Sequence, residues 1–451
     1  MAKAKTQFIC QSCGATYSKW VGRCENCDEW NTLVEQVVQS AGQSSVDKAA
    51  VSGKKVKVES IKTAKEAKSV PRIETGIGDL DVVLGGGIVQ GSVTLLAGQP
   101  GIGKSTILLQ IAAAIARGNR VLYISGEESA HQVALRAARL GATNTEKLDF
   151  AASTSANDIA ATIRDDKYDL VIVDSIQTVS VDEITSAPGT VSQITNSSTV
   201  LIRAAKSAGS AMILVGHVTK EGSIAGPKVL EHLVDVVLQF EGDRYGGFKV
   251  VRAAKNRFGA TSEAAIFEMY EDGLRVVENP SAALLEERQS SDGSVVLATL
   301  EGTRPLLVEI QALVNPTSFG YPKRTASGFD LNRLNVLIAV LERRTKLQLS
   351  DKDIYINVVG GLKLNDQAAD LAVCMAIASA AAERKINDKT VVFGEVGLGG
   401  EIRSVIGVEK RIAEAKKLGF THAIAPRTST ASSFVTAVKD VRSALIDYLQ
   451  K

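Results

Sequence analysis

A glycine-rich segment with one lysine and two hydroxyl residues carries the clearest chemistry in this 451-residue sequence. It follows an apolar run at residues 93–97 that predicts a buried strand, and a helical pattern follows at residues 107–116. The segment consists of Gly98, Gln99, Pro100, Gly101, Ile102, Gly103, Lys104, Ser105 and Thr106. A strand, a G-x-x-x-x-G-K-[ST] loop and a helix in this order predict a site for ATP or GTP.

The residue types of this loop suit a triphosphate and its metal. Glycines allow successive backbone N–H groups to turn toward phosphate oxygens, and the N-terminus of the following helix adds partial positive charge. Lys104 is expected to reach the β- and γ-phosphates, and the Ser105 hydroxyl is expected to ligate Mg²⁺.

Acidic residues follow two further apolar runs. Glu127 and Glu128 come after residues 120–125, where a carboxylate could polarise an attacking water. The sequence does not decide between the two, and a pair of acids at a helix start is also a common capping pattern. Asp174 ends the apolar run 168–173, which is typical of the acid that holds the Mg²⁺ shell beside a phosphate-binding loop.

Polar and cationic residues end two later apolar runs. His217 ends the run 211–216 and could sense the γ-phosphate, although a histidine with a purely structural role fits the pattern equally well. The glycine-rich segment 218–228 carries two lysines and is a candidate DNA-contacting loop, and 186–196 is a second polar loop. Lys255 and Arg257 follow the run 248–254 and could reach DNA or the phosphates bound to a neighbouring subunit.

Four of the five cysteines lie close together near the start of the chain. They form two C-x-x-C pairs, Cys10 with Cys13 and Cys24 with Cys27. This spacing predicts a structural Zn²⁺ with four thiolates and no open coordination position. A redox or disulfide system is the alternative, and Trp20 and Trp30 are expected to cap the small core.

The overall numbers limit the class of protein. A chain of this length is expected to hold two or three domains, and a net charge of +2 gives no global sign of nucleic-acid binding. We find no secretory signal and no apolar run near the ~20 residues that span a bilayer, so we expect a cytoplasmic protein without membrane contact.

The elements that must position these residues alternate in type. From about residue 71 to 275, apolar strands alternate with helical stretches, which predicts an α/β fold with a parallel sheet and crossover helices. In such a sheet the residues that follow the strands meet at one edge.

The order of the motifs carries a resemblance. The four-cysteine module, the phosphate-binding loop, Glu127-Glu128, Asp174 and the string Lys255-Asn256-Arg257-Phe258-Gly259 together resemble the RadA (Sms) family of bacterial DNA-repair proteins. The resemblance implies a RecA-like, DNA-dependent ATPase that forms a hexameric ring. In this family the ring drives branch migration on single-stranded and branched DNA together with RecA.

The resemblance also implies roles for individual residues. Lys104 and Ser105 would bind phosphate and Mg²⁺, and Asp174 would be the Walker B acid. Lys255 and Arg257 would couple ATP to DNA across a subunit interface, and the zinc module would engage a partner or DNA.

Residues 285–451 resemble the proteolytic domain of Lon, an α+β domain. Lon needs a serine nucleophile and a lysine that activates it. An ungapped match places Ala368 at the serine position, and Lys410 falls at or beside the lysine position, where Glu409 is the ungapped match. Ser379 lies about three helical turns further on, so we expect no peptidase activity.

The predicted domains are a zinc finger at 1–34, a linker at 35–70, a RecA-like ATPase domain at 71–280 and an inactive Lon-like domain at 285–451. The predicted function is a DNA-dependent ATPase of helicase type in recombinational repair. An ATP-dependent protease of the Lon kind and a non-motor signalling ATPase ring are the alternatives.

Overall fold

The computed structural model describes residues 5–10, 15–38, 71–143, 145–217, 229–242, 247–317, 320–427 and 433–449. The chain divides into two compact units. The first comprises Met1–Gln239 and Ala254–Gly259, and the second comprises Phe240–Ala253 and Ala260–Lys451. The domain limits proposed from the sequence remain predictions, and segment 39–70, which holds most of the predicted linker, lies outside the described residues.

A small antiparallel sheet begins the first unit. Its strands β1 (Lys5–Cys10), β2 (Thr16–Tyr17) and β3 (Leu33–Val38) lie in the order β2-β1-β3. The buried residue Glu35 joins β3 to the rest of the unit. Ser192 Oγ donates to the Glu35 backbone oxygen at 3.2 Å, and Thr185 Oγ1 donates to the Glu35 carboxylate at 3.3 Å. The N-terminal module is therefore anchored by hydrogen bonds as well as by the chain.

The larger part of the first unit alternates strands and helices. The strands are β4 (Arg72–Ile73), β5 (Ile88–Val89), β6 (Val93–Gly98), β7 (Val121–Ser125), β8 (Leu148–Ala152), β9 (Leu170–Asp174), β10 (Ala211–His217) and β11 (Val236–Gly242). The helices are α1 (Gly78–Leu84), α2 (Lys104–Ile115), α3 (Ala130–Arg139), α4 (Ala156–Asp165), α5 (Val191–Ala208) and α6 (Val229–Leu233).

The main sheet of this unit has the order β11-β6-β10-β9-β7-β8. Strand β10 pairs in parallel with β6 and β9, and β7 pairs in parallel with β9 and β8. Every residue of β6, β7 and β9 is buried, as expected for parallel strands covered on both faces. The carboxyl ends of these strands therefore lie along one edge of the sheet, which confirms the predicted parallel core.

Helix α2 begins at Lys104, directly after the glycine-rich loop that follows β6. Gly101 and Gly103 have φ values of +78° and +116°, which residues with a Cβ rarely adopt. The two glycines therefore let the loop turn tightly between the end of β6 and the start of α2.

The prediction of a parallel sheet is wrong for the last strands before residue 280. Strands β12 (Lys249–Asn256), β13 (Ala264–Tyr270) and β14 (Gly273–Val276) pair antiparallel in sequence order. Their connections contain no helix, and parallel neighbours need a long crossover connection.

The second unit is built around a second, mixed sheet. Its strands are β15 (Ser294–Glu301), β16 (Arg304–Pro316), β17 (Arg324–Ser327), β18 (Lys352–Val358), β19 (Thr390–Val392), β22 (His422–Ala425) and β23 (Val435–Ala437). They lie in the order β17-β18-β16-β15-β19-β22-β23, and β20 (Glu395–Val396) pairs with β21 (Ile402–Arg403).

The helices of the second unit are α7 (Pro280–Leu285), α8 (Leu331–Thr345), α9 (Ala369–Ala382), α10 (Val408–Lys417) and α11 (Val441–Leu449). Residues 369–380 of α9 are buried on every side, and they pack against β15 and β16 at the centre of the core. A helix that is apolar all round is expected in such a position. None of the helices described in the two units is long and apolar enough to cross a membrane.

Candidate nucleotide-binding site

The lysine of the glycine-rich loop turns back over the loop itself. Lys104 is only 6% exposed, and its Nζ donates to the backbone oxygens of Gly98 at 2.8 Å and Gln99 at 3.0 Å. It also lies 3.3 Å from Nδ1 of His217, at the end of β10. Because β6 and β10 are neighbours with Gly98 opposite His217, the register of the sheet brings the lysine and the histidine together.

Glu127 joins this cluster from the loop after β7. The Ser175 hydroxyl donates to Glu127 Oε1 at 2.6 Å, and His217 Nε2 lies 3.7 Å from the same oxygen. The Glu127 side chain is 48% exposed, so its second oxygen can reach water. A carboxylate held on one side and open on the other can orient a water molecule.

Glu128 has a different neighbour. Arg136 of α3 forms a two-bond ion pair with the Glu128 carboxylate, with one of the hydrogen bonds at 2.8 Å. This pairing satisfies both carboxylate oxygens with a cation. The structure thus separates two acids that the sequence left equivalent, because only Glu127 contacts His217 and Ser175.

A glycine fixes the position of Glu127. A Cβ built at Gly126 would lie 2.1 Å from Oγ1 of Thr178, far inside contact distance. The Gly126 N–H also donates to the backbone oxygen of Asp174 at 3.1 Å. The chain between Ser125 and Glu127 is therefore pressed against the segment that follows β9, and no side chain fits there.

Asp174, the last residue of β9, is buried and bonded to a phenol. The hydroxyl of Tyr123 donates to Asp174 Oδ2 at 2.7 Å. Burial, together with the Asp174 charge, raises the pKa of Tyr123 well above its ordinary value, so the phenol keeps its proton and acts as the donor. Oxygen ligands of this kind, with the Ser105 hydroxyl at the start of α2, suit Mg²⁺.

The surroundings of His217 favour its neutral form at neutral pH. Burial lowers the pKa of its imidazole, and the Lys104 ammonium lowers it further, while the Glu127 carboxylate opposes both effects. A neutral ring carries one N–H donor and one acceptor, so it can link Lys104 to Glu127 without adding charge.

Lys255 and Arg257 lie at a different place in the same unit. Lys255 Nζ donates to the backbone oxygens of Glu231 at 2.6 Å and Val234 at 2.8 Å, and Arg257 pairs with Asp235 at 3.3 Å. Asp235 accepts from the N–H of Val93, the first residue of β6, whereas the phosphate-binding loop follows its last residue. A strand of this length separates the two ends by about 16 Å. The two cations therefore do not join the Lys104 cluster of their own chain.

The cysteines form a compact group. The Sγ atoms of Cys10, Cys24 and Cys27 lie within 4.8 Å of one another, as ligands of one metal ion would, whereas Cys13 lies outside the described residues. The Tyr17 hydroxyl lowers the pKa of the Cys24 thiol, which favours the metal-binding thiolate. The expectation that tryptophans cap this core is wrong: Trp20 and Trp30 are 55% and 70% exposed, and Leu33 with Phe8, Tyr17 and Val21 surrounds the cysteines instead.

In the second unit, the region that resembles the Lon active site contains an ion pair. Ala368 is fully buried just before α9, and the neighbouring Asp366 pairs with the buried Arg411 at 2.7 Å. Lys410 turns outward, where its Nζ donates to the Thr303 backbone oxygen at 3.2 Å. Ser379 is buried and bonded to the N–H of Gly293 and the backbone oxygen of Arg384.

Three residues that bind the predicted acids were not found from the sequence. Ser175 hydrogen-bonds to Glu127, Arg136 forms an ion pair with Glu128, and Tyr123 hydrogen-bonds to Asp174. Only Ser175, which follows Asp174 directly, left a signal in the sequence. The segment 218–228, predicted to contact DNA, lies outside the described residues.

Comparison with protein families matches three parts of the chain. An AAA domain matches residues 64–223, a rubredoxin metal binding domain matches residues 8–35, and subunit ChlI of Mg-chelatase matches residues 332–429. With the topology above, these matches confirm the predicted fold class: a RecA-like P-loop core, an N-terminal zinc ribbon and a C-terminal Lon-like α+β domain. The first two matches also support ATP and Zn²⁺ as the bound groups.

Relatives align along nearly the whole chain. The DNA repair protein RadA of Bacillus subtilis (strain 168) is 50% identical over 94% of this chain and 93% of its own length. The protein of the same name from Pseudomonas aeruginosa is 46% identical over 99% of both chains. Among solved structures, the KaiC-like protein PH0186 of Pyrococcus horikoshii OT3 aligns over 46% of this chain and 100% of its own, with 20% identity and a TM-score of 0.39.

Proposed function

The chain belongs to the family of DNA repair protein RadA, and from that premise we propose that it hydrolyses ATP to drive helicase-type movement on DNA during recombinational repair. The observation that carries the proposal is the convergence of Lys104, Glu127 and His217 beside the phosphate-binding loop. Lys104 supplies a cation for phosphate, Glu127 supplies a carboxylate for water, and the His217 imidazole lies between the two.

Each residue of the cluster has a task in hydrolysis. The backbone N–H groups of the loop after β6 and the Lys104 ammonium hold the phosphates. Glu127, held by Ser175, orients the attacking water and takes up its proton. His217 lies between the carboxylate and the lysine, at the start of the segment predicted to contact DNA, so its contacts can report the state of the γ-phosphate to that segment.

The donor set also fits Mg²⁺. Ser105 and Asp174 would hold the ion through hard oxygen atoms, and bound Mg²⁺ would neutralise the charge of the phosphates. Residues Gly98, Gln99, Pro100, Gly101, Ile102, Gly103 and Thr106 complete the proposed nucleotide site.

Lys255 and Arg257 act, in this proposal, on a neighbouring subunit. Arg257 remains 55% exposed although it pairs with Asp235, so its guanidinium can still reach an external phosphate. Such a role requires an oligomer, and a hexameric ring with the neighbour's ATP facing Arg257 satisfies it. RecA, single-stranded DNA and branched DNA are the proposed partners of this ring, and the zinc ribbon would engage one of them.

Peptidase activity is not part of the proposal. Ala368 offers no nucleophile, and Lys410 donates outward to Thr303. Asp366 and Arg411 form an ion pair with each other, so neither side chain is available to activate a serine.

The test is ATP hydrolysis with and without single-stranded DNA, followed by unwinding of a branched substrate with ATP and with a non-hydrolysable analogue. We expect DNA to stimulate hydrolysis, and only hydrolysable ATP to support unwinding. Lys104→Ala is expected to lose about 10²–10³-fold in turnover. Lys167→Ala, which changes an exposed lysine in the same unit, is the control.

Two outcomes would contradict the proposal. Turnover that is indifferent to DNA would favour a signalling ATPase ring. ATP-dependent digestion of casein by the purified chain would favour a protease of the Lon kind.

A further inference from the structure

The contact between Tyr123 and Asp174 follows from the register of two neighbouring strands. In the parallel pair β7 and β9, Ser125 lies opposite Asp174 and Tyr123 lies opposite Ile172. Residues two apart on a strand share a face, so Tyr123, Ser125 and Asp174 point to the same side of the sheet. The two-residue offset is about 6.6 Å, a distance that a tyrosine side chain spans and shorter side chains do not.

The phenol has little freedom in this position. Tyr123 is 1% exposed, and its ring stacks on Phe150, the residue opposite it on β8, at 6.4 Å between centroids. Its hydroxyl lies 2.7 Å from Asp174 Oδ2. If the carboxylate rotated away, a buried hydroxyl would lose its acceptor, which is unfavourable.

The consequence concerns the other carboxylate oxygen. Within the described part of the chain, Asp174 Oδ1 accepts no hydrogen bond, whereas Oδ2 is occupied by Tyr123. We propose that Tyr123 is a positioning residue that fixes the Asp174 carboxylate so that only Oδ1 faces the metal of the Mg²⁺–nucleotide complex. This inference rests on the proposed function of the site.

The test compares nucleotide affinity in Mg²⁺ with affinity in EDTA, using a fluorescent ADP. The ratio of the two affinities measures the contribution of the metal, independently of turnover. In Tyr123→Phe, which keeps the ring and its packing, we expect this ratio to fall about tenfold while the affinity in EDTA is unchanged.

Tyr168→Phe is the matched control. It removes a phenol hydroxyl from a buried tyrosine of the same unit, whose ring lies 4.6 Å from the Arg120 guanidinium. Tyr168 precedes the first residue of β9, whereas Asp174 is its last residue. We expect the ratio to be that of the unmutated chain. If Tyr123→Phe also leaves the ratio unchanged, the inference is overturned.

A double-mutant cycle separates positioning from packing. In an Asp174→Asn background, Tyr123→Phe is expected to lower the ratio no further, because the group that it orients is gone. A further fall of the same size as in the original background would overturn the inference, and this comparison remains valid if the single variants are less stable. Failure of the proposed function would look different, since turnover indifferent to DNA would contradict that function and leave the affinity ratio of the unmutated chain and its fall in Tyr123→Phe unchanged.

Discussion

Each of the two units contains a cluster of polar side chains where the sequence resembles a catalytic motif, and the two clusters have different kinds of hydrogen-bond partners. In the first unit Lys104 hydrogen-bonds to two backbone oxygens and an imidazole, and Glu127 keeps one side open to water. In the second unit Asp366 accepts from Arg411, Thr299 and the N–H groups of Leu300 and Ala368.

The difference separates a proposed ligand site from a cluster whose charges are paired within the unit. Burial alone would raise the pKa of Asp366, but the Arg411 guanidinium and the backbone donors hold it below its ordinary value. The negative charge of Asp366 is therefore balanced by partners within the unit. At the nucleotide site Lys104 has three uncharged partners, which phosphate oxygens can replace, and the Glu127 carboxylate keeps one side exposed. A resemblance in sequence does not reveal this, because both sites keep charged residues.

The largest expected effect concerns the two glutamates near the proposed nucleotide site. Glu127→Gln is expected to lower the turnover of ATP by about 10²–10⁴-fold with little change in ATP affinity, because it removes the group that accepts the proton of water. Glu128→Gln is the matched control, and it should retain turnover within about threefold, since its carboxylate pairs with Arg136. Steady-state hydrolysis and nucleotide titration measure both. Equal losses in the two variants would contradict the separation of these acids.

The closed cluster is expected to matter for stability. Arg411→Met leaves the Asp366 carboxylate without its cation in the core and should lower the free energy of unfolding by about 3–5 kcal/mol in a denaturant titration. Arg403→Met is the control, because its ion pair with Glu401 is exposed and is expected to contribute less than about 1 kcal/mol. The double variant Asp366→Leu, Arg411→Met should regain part of the loss. Equal effects of the two arginines would show that the cluster is not committed to folding.

The proposed nucleotide site is expected to make stability depend on pH through His217. Its pKa is lowered in the folded state, so the unfolded chain binds the proton first as the pH falls. The contribution of His217 to stability is therefore largest above the ordinary histidine pKa of 6.5 and decreases below it. Thermal unfolding between about pH 7.5 and about pH 5.5 measures this decrease, and His217→Gln should make it smaller. An unchanged pH profile in the variant would rule out this histidine as its source.

The last prediction is that adding a serine to the second unit has no effect on peptidase activity. Ala368→Ser introduces a hydroxyl at the position that matches the Lon serine, yet we expect no digestion of casein and no labelling by a serine-reactive fluorophosphonate. Lys410, which falls at or beside the position of the Lon lysine, donates to the Thr303 backbone oxygen at the surface. Labelling of this variant above the level of the unmutated chain would show that the Asp366–Arg411 pair does not prevent activation of a serine at position 368.

The sequence predicted the parallel core because apolar runs alternate with helical stretches from about residue 71 onward. It could not separate Glu127 from Glu128, since the choice depends on Arg136 and Ser175, which reach the two acids from different elements. Nor could it find Tyr123, whose role follows from the register between β7 and β9. The antiparallel pairing of β12 to β14 was missed because short apolar runs have the same pattern in either direction.

The close approach of Gly126 to Thr178 also constrains how such sequences can diverge. Because a Cβ at position 126 would lie 2.1 Å from the threonine hydroxyl, the two positions are expected to vary as a pair during evolution. A relative with alanine at the equivalent of Gly126 should carry a glycine at the equivalent of Thr178, or a displaced strand. An alignment of many relatives can therefore recognise this ATPase geometry by a correlated pair of positions outside the phosphate-binding motif.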